Sequence, residues 1–416
     1  IENGNVGPAT LIVRDGKIAE IHNCTDVSLP ADCLQIIDAG DLLVMPGVVD
    51  SHVHVNEPGR ADWEGFHTAT KAAAAGGITT IVDMPLNSLP STTTLDALRT
   101  KLVAAAQNKR YVDVAFWGGV VPGNKDSLRP MANVGVCGFK CFMIHSGVDD
   151  FQHVNIQQMK EALQELAGTG VPLLFHAENE RCEIASTETQ DGNPRQYKTF
   201  LNSRPSFMET DAIRTVINLC NETRVPCHIV HLADSEALDI IKKAKSEGVP
   251  LTVETTHHYL SLDAESVPDG ATEYKCCPPI RDKSNQTRLW NAVLEGDIDM
   301  VVSDHSPCTE DLKALSTGDF LKAWGGIASV QFDSLLGWQK NPGTPGRSTA
   351  DGLRWAPSDC FQSLIEQLVW VLYIRPPSEN AERFTDRCPR LPTPQKPIPF
   401  PSHLVLGHKK KGCAKM

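Results

Sequence analysis

His52 and His54 stand two apart in Asp50-Ser51-His52-Val53-His54, at the end of an apolar run. On a strand, residues i and i+2 point to one face, so both imidazoles can meet one ion. In isolation such a pair reads more readily as two hydrogen-bonded core histidines, since such pairs are common by chance. The ends of other apolar runs shift that balance. Lys140 lies in Gly138-Phe139-Lys140-Cys141-Phe142, His176 closes Pro172-Leu173-Leu174-Phe175-His176, His231 closes Cys227-His228-Ile229-Val230-His231, and Asp304 closes Met300-Val301-Val302-Ser303-Asp304. Imidazoles and carboxylates at strand ends are what a hydrolytic metal centre needs. Lys140 is the odd member, because an ammonium repels cations. A buried lysine with a lowered pKa can instead be neutral and add carbon dioxide, and the resulting carbamate is an anion able to bridge two metals.

These residues need elements that bring them together. Apolar runs of strand length occupy residues 44–54, 78–84, 112–120, 136–143, 171–176, 225–232, 249–255 and 298–304, with helical text between several of them. One such helix, over residues 69–75, is closed by Gly76-Gly77. Eight repeated units predict an α/β fold, a (β/α)₈ TIM-type barrel over residues 46–332, whose strands deliver functional side chains to the C-terminal face. Residues 1–45 read as part of a small β domain. A strand over 9–13, the turn Arg14-Asp15-Gly16, a strand over 17–21 and a further run over 33–38 make it up. Regular alternation stops near Asp333. Residues 333–416 form an atypical, proline-rich tail with one candidate helix over 361–374. The tail is expected not to complete the small β domain, a β-sandwich left incomplete with unpaired strand edges.

The ordered set His52, His54, Lys140, His176, His231 and Asp304 resembles the metal site of the amidohydrolase superfamily, in its cyclic amidase branch. That pattern pairs an HxH on the first strand with a carboxylated lysine on the fourth, histidines after the fifth and sixth, and an aspartate after the eighth. Within the branch, several segments between residues 9 and 332 are most similar to allantoinases. They are His52-Val53-His54-Val55-Asn56-Glu57-Pro58-Gly59-Arg60, Asp83-Met84-Pro85-Leu86-Asn87-Ser88, Cys277-Pro278-Pro279-Ile280-Arg281, Ser303-Asp304-His305-Ser306-Pro307-Cys308 and Trp324-Gly325-Gly326-Ile327. Dihydroorotases carry an arginine where Asn56 stands, and dihydropyrimidinases and hydantoinases differ after the HxH.

The resemblance implies hydrolysis of the hydantoin ring amide of allantoin to allantoate, in purine catabolism. The alternatives are another cyclic amidase, an inactive truncated isoform, or a non-catalytic scaffold. It also implies two divalent metal ions, zinc first with cobalt or manganese as alternatives, bound by the six residues with Lys140 carboxylated. Two such ions about 3.5–4 Å apart activate a shared water. Asp304 would take the proton of that water and pass it to the leaving ring nitrogen. Cys277 falls in a segment that lines the substrate in related hydantoinases and is a tentative substrate-binding residue. His228, three before His231, reads as a core histidine; His257 and His258 follow the seventh run and either line the pocket or cap a loop; His67 and His305 carry no assignment. A homo-oligomer, specifically a homotetramer, is implied by the same resemblance.

Composition bounds the partners. The formal net charge is -12, which leaves no basic field for a nucleic-acid backbone and leaves a small-molecule substrate as the expected partner. No run is long enough to cross a membrane. Thirteen scattered cysteines without a CxxC pair point to a reducing compartment. The cytoplasm is expected, with the peroxisome as an alternative because Ala414-Lys415-Met416 loosely resembles a peroxisomal address.

Overall fold

The computed structural model describes residues 7–40, 43–179, 192–332, 372–375 and 403–406. The chain divides into two compact units, Ile1–Gly47 with Ile365–Met416, and Val48–Leu364.

In the first unit, β1 (Thr10–Arg14) and β2 (Lys17–His22) form an antiparallel hairpin. Its turn holds Asp15 at φ 50° and Gly16 at φ 75°. Two successive left-handed residues give the turn a twist that matches the strands, which is why Asp-Gly is favoured there. Two further strands follow, β3 (Gln35–Ile37) and β4 (Leu43–Pro46).

The second unit carries the barrel. Its parallel strands are β5 (Val48–Val53), β6 (Ile78–Asp83), β7 (Asp113–Phe116) with its short continuation β8 (Gly118–Gly119), β9 (Phe139–Phe142), β10 (Leu173–His176), β11 (Cys227–Ile229), β12 (Leu251–Thr256) and β13 (Met300–Val302). They pair in the order β5-β6-β7 and β8-β9-β10-β11-β12-β13. The ring is closed where Val53 bridges His305 and the His54 amide donates to the His305 carbonyl at 2.8 Å. All eight anticipated runs therefore carry strands of one barrel. Both faces of such strands are covered, so Phe139–Phe142 and Leu173–His176 are buried throughout.

Local signals start and stop the helices between the strands. Leu95–Gln107 begins where the Thr94 side chain accepts from the Ala97 amide, and Ile156–Leu166 begins on a reciprocal Asn155–Gln158 capping box. Phe66–Ala75 stops at Gly76. Lys283–Glu295 ends at Gly296, held at φ 82°, a conformation that costs glycine nothing.

The tail differs from its expected role. Two of its segments, β14 (Leu372–Arg375) and β15 (His403–Leu406), are strands. β14 pairs antiparallel with β4, and β15 inserts between β1 and β3. The edge of β1 that was expected to stay open is therefore paired, and the unit includes residues from both ends of the chain. The reason is that ladder hydrogen bonds are made by the backbone. Any short β-prone run, such as Leu404-Val405-Leu406, can satisfy an exposed edge without carrying a family motif. Residues 372–374 are strand rather than the end of a helix, while 361–371 and the proline-rich 376–402 lie outside the described residues.

Candidate metal centre

His52 and His54 come off the end of β5, and both side chains are buried. Lys140 sits in β9, His176 at the last position of β10, His231 two residues past β11, and Asp304 two past β13. The barrel brings all six together at its C-terminal end. The ring nitrogens of His52 and His54 and a carboxylate oxygen of Asp304 lie within 4.8 Å of one another. Nε2 of His52 is 3.1 Å from Oδ1 of Asp304 and 3.1 Å from Nζ of Lys140. Nε2 of His54 is 3.6 Å from the same aspartate oxygen. The rings of His52 and His231 are 5.4 Å apart, and those of His231 and His176 are 4.6 Å apart.

The backbone is strained where it delivers two of them. His231 has φ 40° and Asp304 φ 44°, left-handed values that cost a non-glycine residue on the order of 1–3 kcal/mol. Such strain persists where the surrounding structure enforces it, and here it accompanies two inward-facing donors.

Electrostatics prepare the group for a cation. Burial lowers the pKa of His54 to about 3, and that of His231 well below its ordinary value, so both imidazoles are neutral and can donate a lone pair. The Asp304 carboxyl is pushed up by burial, but His52, His54 and His231 outweigh this and hold it well below the usual range. Burial brings Lys140 down to about 8. Among the described residues no ion pair holds its Nζ, which instead faces His52 and the ring of Phe142. Nδ1 of His231 is buried with no hydrogen-bond partner. The neutral imidazoles of His54 and His231, a carboxylate, an unpaired buried nitrogen and a lysine with no ion pair among the described residues together make a donor set that fits divalent metal and would be costly to bury without it.

Two carboxylates that sequence reasoning did not single out hold this set in place. Glu254 of β12 accepts from Nδ1 of His52 at 2.5 Å and lies 3.0 Å from Nε2 of His228. His228 in turn meets the Thr252 hydroxyl at 2.7 Å. Burial raises the Glu254 pKa, but His52 and His228 prevail and keep it near 2. With Nδ1 so engaged, His52 presents Nε2 to the site. Glu178 plays the same part for His176, 2.6 Å from its Nε2. The signal available was a charged residue inside the fully buried run Leu251–Thr256, and an acid two residues after a candidate ligand.

The other positions fall as follows. His228 is a hydrogen-bonded buried histidine that supports Glu254. His258 is buried, and neither of its ring nitrogens has a hydrogen-bond partner. His305 bonds Glu64 at 2.8 Å and accepts from the Ser329 amide, tying strand ends together. His67 is exposed and meets Tyr111 edge to face. Cys277 is half-buried, and its sulfur closely faces Gly325 of the Trp324-Gly325-Gly326-Ile327 segment.

Comparison with known proteins gives the family and the fold. Residues 43–340 match the amidohydrolase family. The mitochondrial allantoinase of Aquarana catesbeiana is 52% identical over 384 residues, covering 90% of this chain and 77% of the frog protein. That share is longer than residues 9–332, so the similarity extends beyond the stretch in which motifs were legible. The allantoinase of Streptomyces avermitilis is 49% identical over 350 residues, covering 84% of this chain and 76% of its own. Among solved structures, the L-hydantoinase (dihydropyrimidinase) of Arthrobacter aurescens superposes with a TM-score of 0.71 at 33% identity, covering 78% of this chain and 71% of that one. The chain belongs to the amidohydrolase family and, within it, groups with the allantoinases.

Proposed function

We propose that the protein is a metal-dependent cyclic amidase that hydrolyses allantoin to allantoate. The observation that carries this reading is the meeting of Lys140, four imidazoles and Asp304 at one barrel end, in a chain about half identical to allantoinases. His52, His54, Lys140, His176, His231 and Asp304 would hold two divalent ions, zinc first by the nitrogen-and-oxygen donor set, with cobalt or manganese as alternatives. Lys140 would do so as a carbamate. Once bound, the ions would supply Lewis acidity and lower the pKa of a bound water.

The chain's own groups do the rest. Glu254 keeps His52 in the tautomer that offers Nε2. Asp304, ionised in this setting, accepts the proton of the attacking water and returns it to the ring nitrogen as the C–N bond breaks. Cys277 and its neighbours would form one wall against the substrate ring.

A hydantoinase or dihydropyrimidinase activity is the second reading, favoured by the similarity to the Arthrobacter aurescens structure. Comparing turnover of allantoin, hydantoin and dihydrouracil by the zinc-loaded protein separates the two. We expect kcat/KM for allantoin to exceed the others by at least about a hundredfold; a site that hydrogen-bonds a substituent the competitor lacks can reject that competitor by about 10⁴–10⁵. Equal turnover of all three, or preference for dihydrouracil, would transfer the assignment.

A homotetramer is proposed by the same kinship, and light scattering of the purified protein would read a dimer or monomer if it is wrong. A reducing compartment, the cytoplasm in the first instance, suits the nine described cysteines, all of them free thiols; the frog relative is named as mitochondrial. Among the described residues no helix is long and apolar enough to cross a membrane.

A further inference from the structure

Two side chains flanking the Cys277-Pro278 wall carry enclosed polar atoms without a hydrogen-bond partner among the described residues. They are His258, through both ring nitrogens, and Trp324, through Nε1. The reaction as described uses neither. Buried polar groups are ordinarily paired, so an unpaired one beside a reaction centre is a place where a ligand can complete the bonding.

His258 is 4% exposed and lies in the short helix His257–Ser261 that follows β12. Its ring meets that of Tyr259 edge to face at 4.4 Å, and the Tyr259 hydroxyl donates to the Pro278 carbonyl at 2.7 Å. The charges of Asp304, His52 and Lys313 all act on the imidazole, but burial dominates and brings its pKa down to about 4. It is therefore a neutral ring with one donor and one acceptor.

Trp324 stands on the other side of that wall, where its neighbour Gly325 faces the Cys277 sulfur. Its indole meets Trp63 edge to face, with centroids 5.1 Å apart. Gly147 leaves room for it, since a Cβ there would stand 3.3 Å from Cη2 of the indole. Trp63, Gly147 and Trp324 follow β5, β9 and β13, so the indole reaches across the mouth of the barrel. It also packs on the apolar group containing Phe142, whose ring stacks on His176 at 4.5 Å. The buried lysines of these loops are spent on backbone. Lys313 donates to the carbonyls of Trp324 and Gly326, and Lys275 to those of Leu321 and Ala323.

An indole donates only, whereas a neutral imidazole donates and accepts. The complement of the two is an uncharged group that offers a carbonyl oxygen together with N–H hydrogens, additional to the ring amide that is cut. We propose that His258 and Trp324 are specificity-determining residues that hydrogen-bond a ureido substituent on the cyclic amide, the indole N–H donating to its carbonyl and the imidazole accepting from one of its N–H groups. This deepens the cyclic-amidase reading given above and rests on it.

The test measures kcat/KM of the zinc-loaded full-length chain for allantoin and for 5-propylhydantoin, which carries an apolar arm of similar length on the same ring. Trp324→Phe keeps an aromatic ring against Trp63 and removes the N–H. His258→Leu removes both ring nitrogens at similar volume. Each should lower the ratio of allantoin to 5-propylhydantoin by about tenfold or more, the cost of leaving a buried hydrogen-bond partner unpaired. His258→Gln, which offers one donor and one acceptor, should retain part of the ratio. A parallel loss on both substrates would reveal a merely structural role and overturn the proposal, as would an unchanged ratio in the folded variants. If His258→Leu does not fold, Trp324→Phe and His258→Gln still decide. A wild type that opens both rings equally also overturns it, whereas one that opens neither overturns the cyclic-amidase reading instead.

Discussion

Replacing Lys140 with alanine is expected to leave a folded protein that holds one divalent ion instead of two, with kcat/KM lowered by at least about a thousandfold, about 4 kcal/mol of transition-state stabilisation. The side chain is 1% exposed, and burial brings its pKa down to about 8. At pH 7 that leaves roughly three hundred times more neutral amine than an ordinary lysine would have. Only the neutral amine can attack carbon dioxide. The carbamate formed exchanges a cation that would repel metal for an anion with two oxygens.

The sign of the pH dependence follows. Reconstitution of metal-free protein with zinc and bicarbonate should accelerate as pH rises toward about 8, because deprotonation supplies the reactive form. Short carboxylic acids should restore part of the activity of Lys140→Ala by filling the vacated position, while carbon-dioxide-free buffer should impair reconstitution of the wild type only. Metal analysis and initial rates are the measurements. Full metal occupancy and full activity in Lys140→Ala would show that this lysine neither carries a carbamate nor bridges the ions. Gross unfolding is not expected, since the substitution also removes a buried group that no ion pair compensates among the described residues.

The second large effect concerns Asp304. Asparagine matches its size but is neither an anion nor a proton acceptor at neutral pH. We expect Asp304→Asn to lower kcat by about 10²–10⁴, the range associated with losing a positioned acid–base group. Its Oδ1 is 3.1 Å from Nε2 of His52 and 3.6 Å from Nε2 of His54. That contact places it at the centre of the site, and the neighbouring imidazoles hold its pKa well below normal despite burial. It is thus ionised throughout the neutral range. Measuring kcat, KM and metal content together distinguishes its two roles. Loss of kcat with both ions retained isolates proton transfer, and loss of an ion as well identifies it as a ligand too. Wild-type kcat in this variant would remove Asp304 from the chemistry.

What the sequence determined by itself was whatever follows from short-range periodicity. Strand alternation puts His52 and His54 on one face, and the placement of Lys140, His176, His231 and Asp304 at the ends of apolar runs becomes a single site once eight runs close a barrel. Turn chemistry at Asp15-Gly16 and the glycine stop after Phe66–Ala75 are equally local. What only tertiary structure decided were the partners of these groups. Glu254 is 202 residues from His52 in the chain, and only the closure of β12 and β13 against β5 brings them into contact. The choice of ring nitrogen at His52 depends on that carboxylate, and no spacing rule encodes it. The tail shows the same limit in reverse. β15 is unremarkable as text, yet its backbone completes the ladder between β1 and β3, because an unpaired edge selects for hydrogen-bonding capacity in any chain near it, whatever the order of its side chains.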